Sequence, residues 1–122
     1  MFKKADQMGV TLEPGLKGGR GTTRVVDILT KEEMAGTGRL FGISIIPPGG
    51  SIGYHRHTGD FEVYYILSGK ARVTLDGEVR VIGPGDMTMC EDGHTHGIEN
   101  IGDDELRYLA VILYSRREPS CP

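Results

Sequence analysis

Four histidines occur in the sequence, arranged as two His-x-His pairs, His55/His57 and His94/His96. In an extended strand, residues i and i+2 face the same side, so each pair can present two imidazoles to one point. Glu62 follows His57 after a Thr58-Gly59-Asp60 segment that reads as a turn. Such a reversal lets the strand carrying Glu62 lie beside the strand carrying His55 and His57. A carboxylate inside the apolar run 61–67 costs free energy unless it is paired or coordinated. Imidazole and carboxylate together suit one divalent transition metal: Mn, Fe, Ni, Co, Cu or Zn. Cys90 is the only thiol near these residues in sequence, so a cysteine-type structural zinc site is disfavoured.

The elements that must position these side chains are short strands. The chain has 122 residues with 19 Gly and 6 Pro, enough turn formers to cut it into many pieces. Runs of β-branched and aromatic residues predict strands over 25–29, 40–46, 51–57, 61–67, 71–75, 78–82, 87–90, 95–100 and 105–113. Pro47-Pro48-Gly49-Gly50 is a turn, and Asp76-Gly77 between two alternating runs is a hairpin signal. Thr30 with Glu33 makes a capping box, which predicts one helical turn to about Ala35. Turns at this rhythm with a single helical turn predict an all-β barrel or jelly roll of one domain. Residues 1–22 read as an N-terminal arm or strand, 23–114 as the barrel, and 115–122 as a frayed tail.

At this point the sequence resembles the cupin family. Its first motif is matched by Gly49, His55, His57, Glu62 and Gly69. Its second is matched by Gly85, Gly93, His96 and Asn100, with Glu91 where the family has Pro. The two motifs span 49–100, under half of the chain, and the departure alters a loop rather than a ligand. The resemblance implies a double-stranded β-helix, the RmlC-like cupin barrel. It also implies a metal held by His55, His57, Glu62 and His96, with coordination positions left open to water or substrate. It further implies a homodimer, formed in many small cupins by lending an N-terminal strand to the partner's sheet, a task the Gly-rich arm suits.

Tyr64 and His94 are the candidate catalytic, proton-moving groups. By alternation Tyr64 shares the face of Glu62, either as a hydrogen-bond donor or base or as a core tyrosine. His94 shares the parity of His96, but Gly93 stands at a turn, so His94 either reaches the pocket or is a solvated loop histidine. The Glu62-Val63-Tyr64 spacing also resembles cupin dimethylsulfoniopropionate lyases, in which such a tyrosine serves as base. Met87 and Met89 share a face and are expected as apolar pocket wall.

Composition narrows the function. Hydrophobic residues make up 38% and charged residues 25%, as in a globular domain. The formal net charge is −3, and the densest basic stretches are the pairs Lys3-Lys4 and Arg116-Arg117, so no nucleic-acid partner is expected. No apolar stretch reaches membrane length, and no apolar run follows the first lysines, so no membrane partner or signal peptide is expected. With Cys90 and Cys121 as the two cysteines, reduced thiols and a cytoplasmic location are expected. The functional expectation is a small metalloenzyme acting on a small organic acid or similar metabolite, of dioxygenase, decarboxylase, isomerase or lyase type. The alternative is a non-catalytic barrel that binds or senses a small-molecule ligand.

Overall fold

Strand-forming runs separated by glycine-rich turns fold the chain into ten strands, and the computed structural model describes residues 1–115. In chain order these are β1 (Val10–Pro14), β2 (Thr22–Leu29), β3 (Gly38–Ile46), β4 (Ser51–Arg56), β5 (Asp60–Ser68), β6 (Ala71–Leu75), β7 (Glu78–Ile82), β8 (Met87–Cys90), β9 (Thr95–Asn100) and β10 (Leu106–Tyr114). The expected frayed tail, with Arg116, Arg117 and Cys121, lies outside the described residues apart from Ser115.

The strands form a six-stranded sheet, β1-β2-β3-β10-β5-β8, and a four-stranded sheet, β4-β9-β6-β7, with antiparallel pairing throughout. Ile46, Ile66, Leu106 and Tyr108 from the first sheet meet Val73 and Ile98 from the second in one core. This is the jelly-roll barrel expected from the turn rhythm. No helix among the described residues is long and apolar enough to cross a membrane.

Local signals hold at particular residues. Asp76 and Gly77 both have positive φ (49° and 82°), as a two-residue turn between β6 and β7 requires. The Thr30–Glu33 capping box forms reciprocally: Glu33 N–H donates to Thr30 Oγ1 at 3.1 Å, and Thr30 N–H donates to Glu33 Oε1 at 2.8 Å. It caps one turn and no more, because Ala35 and Gly36 enter the left-handed region.

Of the two readings of 1–22, arm or strand, Val10–Pro14 takes the strand one and pairs with β2 of its own chain. One expectation needs correction. Met87 and Met89 do not wall the metal-side cavity. The β5–β8 register sets Cys90 opposite Glu62 and Thr88 opposite Tyr64, so the methionines take the other parity and face outward, 54% and 41% exposed.

Candidate metal centre

The four motif residues come from three strands in two sheets. His55 is on β4, His57 lies one residue past its end, His96 is on β9 and Glu62 is on β5. His55 and His96 are direct cross-strand partners. A register shift between Ile52 and His55 is what makes the first pair work. Ile52 is buried in the core, and strict alternation from it would turn Tyr54 inward and His55 outward. The irregularity adds one residue and resets the parity. Tyr54 is consequently exposed, its hydroxyl accepting from Gly77 N–H at 3.0 Å, and His55 faces the cavity.

The donors converge. One ligand atom from each of His55, His57, Glu62 and His96 lies within 4.8 Å of every other. His57 Nε2 is 3.0 Å from His96 Nε2 and 3.1 Å from Glu62 Oε1, and His96 Nε2 is 3.1 Å from the same oxygen. His57, Glu62 and His96 are buried and His55 is half-buried. Two imidazole nitrogens and a carboxylate oxygen packed this closely, away from water, match the donor set that holds a divalent cation.

Outer hydrogen bonds aim the rings. His55 Nδ1–H donates to the Gly53 carbonyl at 2.7 Å, and His57 Nδ1–H donates to Asp60 Oδ1 at 2.6 Å. Both bonds leave Nε2 free on the inner side, as metal-binding histidines require. Asp60 is itself held by Arg39 Nε at 2.8 Å. His96 lacks such a partner among the described residues, where its buried Nδ1 makes no hydrogen bond. Stacking on the Tyr64 ring fixes it instead, with centroids 4.8 Å apart and planes 15° from parallel.

Electrostatics favour the ligating form at Glu62 and His55 and the protonated form at His57. Burial alone would raise the Glu62 carboxyl, but hydrogen bonds and charge from His57 and His96 outweigh it and pull it down to about 2. Burial lowers His55, keeping it neutral. The hydrogen bond with Glu62 raises His57 despite burial, and Asp60 adds to this. Burial, reinforced by the Glu62 charge, drives Tyr64 well above the ordinary phenol range, so its hydroxyl is a proton donor in this setting.

The site opens into a cavity of about 280 Å³. Thr11, Glu13 and Lys17, from the segment expected to be an arm, line it together with Arg39, Ser44 and Tyr108. Tyr64 is there too, its hydroxyl 3.4 Å from His96 Nε2.

His94 is not. Its side chain is 48% exposed and its Nδ1 pairs with Asp76 in the β6–β7 turn. The cause is the 91–94 turn, in which His94 N–H donates to the Glu91 carbonyl, so β9 parity begins only at Thr95. Asp60 and Arg39 escaped the sequence reading, and Asp60 was counted only as a turn residue. The signal available for it was an acidic side chain opening an apolar strand three residues after a ligand histidine. Asn100, matched as a motif residue, is a clamp: its Nδ2 donates to the carbonyls of Ile46 (2.9 Å) and Asp104 (2.8 Å).

A family model described as the cupin domain matches residues 42–112. An "Oxalate-binding protein" of Thermotoga maritima is 41% identical over 98 residues, covering 80% of this chain and 81% of that one. "Oxalate decarboxylase OxdC" of Bacillus subtilis is 35% identical over 72 residues, which cover 55% of this chain but 19% of that one. A Thermotoga maritima crystal structure described as a predicted oxalate decarboxylase superposes with a TM-score of 0.89 at 36% identity, covering 94% of this chain and all of that one.

Proposed function

The chain belongs to the cupin domain family, and from that premise we propose that it binds one divalent transition metal and, through that metal, a small organic carboxylate such as oxalate. The observation that carries this is the convergence of His55, His57, Glu62 and His96 within 4.8 Å, with His55, His57 and Glu62 on the wall of a cavity. Three neutral imidazoles and one carboxylate leave a divalent ion with net positive charge and open positions, which suits an anionic oxygen ligand. The oxalate-binding relative supports the ligand class. When bound, the metal supplies Lewis acidity toward a carboxylate or carbonyl oxygen. The chain's own residues aim the donors through Gly53 and Asp60, exclude water on the Ile66 and Ile98 side, and offer the Tyr64 hydroxyl beside His96.

Elemental analysis of tag-free protein beside His96→Ala tests the first part. About one equivalent of metal in the wild type and none in the variant is expected, and no metal in either after reconstitution refutes the assignment. Calorimetric titration of the loaded protein with oxalate tests the second. Catalytic turnover is a second reading, favoured by the open coordination positions and by the donor hydroxyl of Tyr64. Release of carbon dioxide or another product from the bound acid would establish it.

The partner reading is a homodimer formed through the outer face of the six-stranded sheet. That face carries Tyr65, Leu67, Met87 and Met89, each 41–54% exposed, beside Val111 and Leu109. Six strands about 4.8 Å apart and four to nine residues long make a face on the order of 700 Å². That is close to the roughly 800 Å² per partner of a stable interface.

A further inference from the structure

A ligand histidine needs something to aim its ring, and the three here do not share one device. His55 and His57 are tethered through Nδ1, to the Gly53 carbonyl at 2.7 Å and to Asp60 at 2.6 Å. His96 is 0% exposed, and among the described residues its Nδ1 makes no hydrogen bond. The χ2 torsion of a histidine is broad, so an untethered ring can swing Nε2 off the point where the donors meet. Packing must therefore supply at His96 what a hydrogen bond supplies at the other two.

That packing is a run of three rings. Tyr64 lies on His96, with centroids 4.8 Å apart and planes 15° from parallel. Tyr108 meets Tyr64 edge to face, with centroids 4.7 Å apart and planes at 62°. Strand pairing builds the run. The β5–β10 register sets Ala110 opposite Tyr64 and puts Tyr108 two residues away on the same face. Diagonal neighbours of this kind are within reach of aromatic side chains. Ala110 is small and leaves the space beside Tyr64 to the Tyr108 ring. Tyr64 is 1% and Tyr108 0% exposed, so neither ring has solvent to move into. A stacked ring resists rotation of its neighbour only while it is itself held, and the edge of Tyr108 holds Tyr64.

We propose that Tyr108 is a positioning residue for the metal centre, acting through the Tyr64 ring to fix His96. The ring carries the effect, not the hydroxyl. This rests on the metal reading of the four-donor cluster.

The test compares Tyr108→Phe, which keeps the ring, with Tyr108→Leu and Tyr108→Met, which remove it; two ring-less variants guard against one that fails to fold. Leu106→Ala is the control for general core damage, since Leu106 is 0% exposed on the same strand and belongs to the same core. Melting temperature without metal, cobalt(II) affinity by chelator competition, and the visible absorption of the cobalt-loaded protein are measured for each. The ring-less variants should bind cobalt at least about threefold more weakly, the order that an edge-to-face pair contributes. Their cobalt bands should shift, because a displaced imidazole changes the ligand field. Tyr108→Phe should keep affinity within about twofold and the wild-type bands. Leu106→Ala should melt lower through its cavity, yet keep both affinity and bands. A loss below threefold in the ring-less variants, or one with unchanged bands, overturns the inference. So does a loss above twofold in Tyr108→Phe, which assigns the effect to the hydroxyl, or in Leu106→Ala, which assigns it to core stability. A wild type that binds no cobalt refutes the metal reading itself and takes this inference with it.

Discussion

Replacing Asp60 with Asn tests whether a residue that touches no metal sets the affinity of the site. Asp60 is 5% exposed and accepts the His57 Nδ1–H at 2.6 Å, a short charge-assisted contact. Asn keeps the shape and an acceptor oxygen but removes the charge that makes His57 a stronger donor to a cation. Loss of such a partner costs about 10–100-fold in metal affinity, about 1.4–2.8 kcal/mol. Arg39 also loses its carboxylate, but its side chain is 42% exposed and water replaces the contact at little cost. The sign of the pH dependence separates this from general damage. Asp60 helps to raise His57 and so strengthens proton competition as well as metal binding. In the variant that competition weakens. The affinity deficit should be full near pH 8 and shrink toward pH 6. Chelator competition with zinc across this range reads it directly. A dissociation constant within twofold of wild type at pH 8, or a deficit constant across the range, refutes the reasoning.

Tyr64→Phe should retain metal, and any turnover found should drop at least about tenfold if the hydroxyl moves protons; unchanged turnover removes Tyr64 from the chemistry, and with it the lyase-type reading. In the metal-free protein Glu62 is held at about 2 against an ordinary 4.5. Its stabilisation, about 3 kcal/mol, is therefore full above pH 4.5 and lost as pH falls toward 2. Urea midpoints should decline over that window in the wild type and less steeply in Glu62→Gln, where the lowered Glu33, Asp76, Asp92 and Glu99 still titrate. His94→Ala should leave metal content and ligand affinity within twofold, because the ring is paired with Asp76 on the outside; a larger loss places it in the site. Val111→Asp, on the outer sheet face, should convert a dimer to a monomer by light scattering without lowering metal content, and a wild type already monomeric at high concentration excludes that interface.

How much of this was legible in the sequence differs by element. Most strands from β2 to β10 were readable because they bury a face that apolar and β-branched residues mark, whereas β7 has no buried residue and was legible from alternation after the Asp76-Gly77 hairpin signal. β1 was not, because Val10 and Leu12 are its only strongly apolar signals and both are exposed on an edge. The helical turn at Thr30 was legible from its capping box, and so was its end near Ala35, where the backbone turns left-handed. Motif spacing singles out three of the four histidines and Glu62, and the structure brings these four side chains together. For His94 the sequence leaves pocket and loop open, and the turn before β9 puts it on the outside. The outward face of Met87 and Met89 depended on a cross-strand register that no local pattern encodes.

The metal-side geometry also depends on contacts with no local signature at all. An added Cβ at Gly53 would lie 1.9 Å from the Lys17 carbonyl oxygen, and one at Gly19 would lie 2.1 Å from that of Ser51. Backbone therefore packs directly on backbone where the 16–18 turn crosses β4. Neither glycine has a positive φ, so turn chemistry cannot explain them; close approach does. The consequence reaches His55, whose Nδ1–H donates to the carbonyl of Gly53. The same N-terminal segment that roofs the cavity with Thr11, Glu13 and Lys17 thus also sets the backbone from which a ligand histidine is aimed. With β1 paired in its own sheet and the turn pressed on β4, the segment is part of the support of the candidate metal centre.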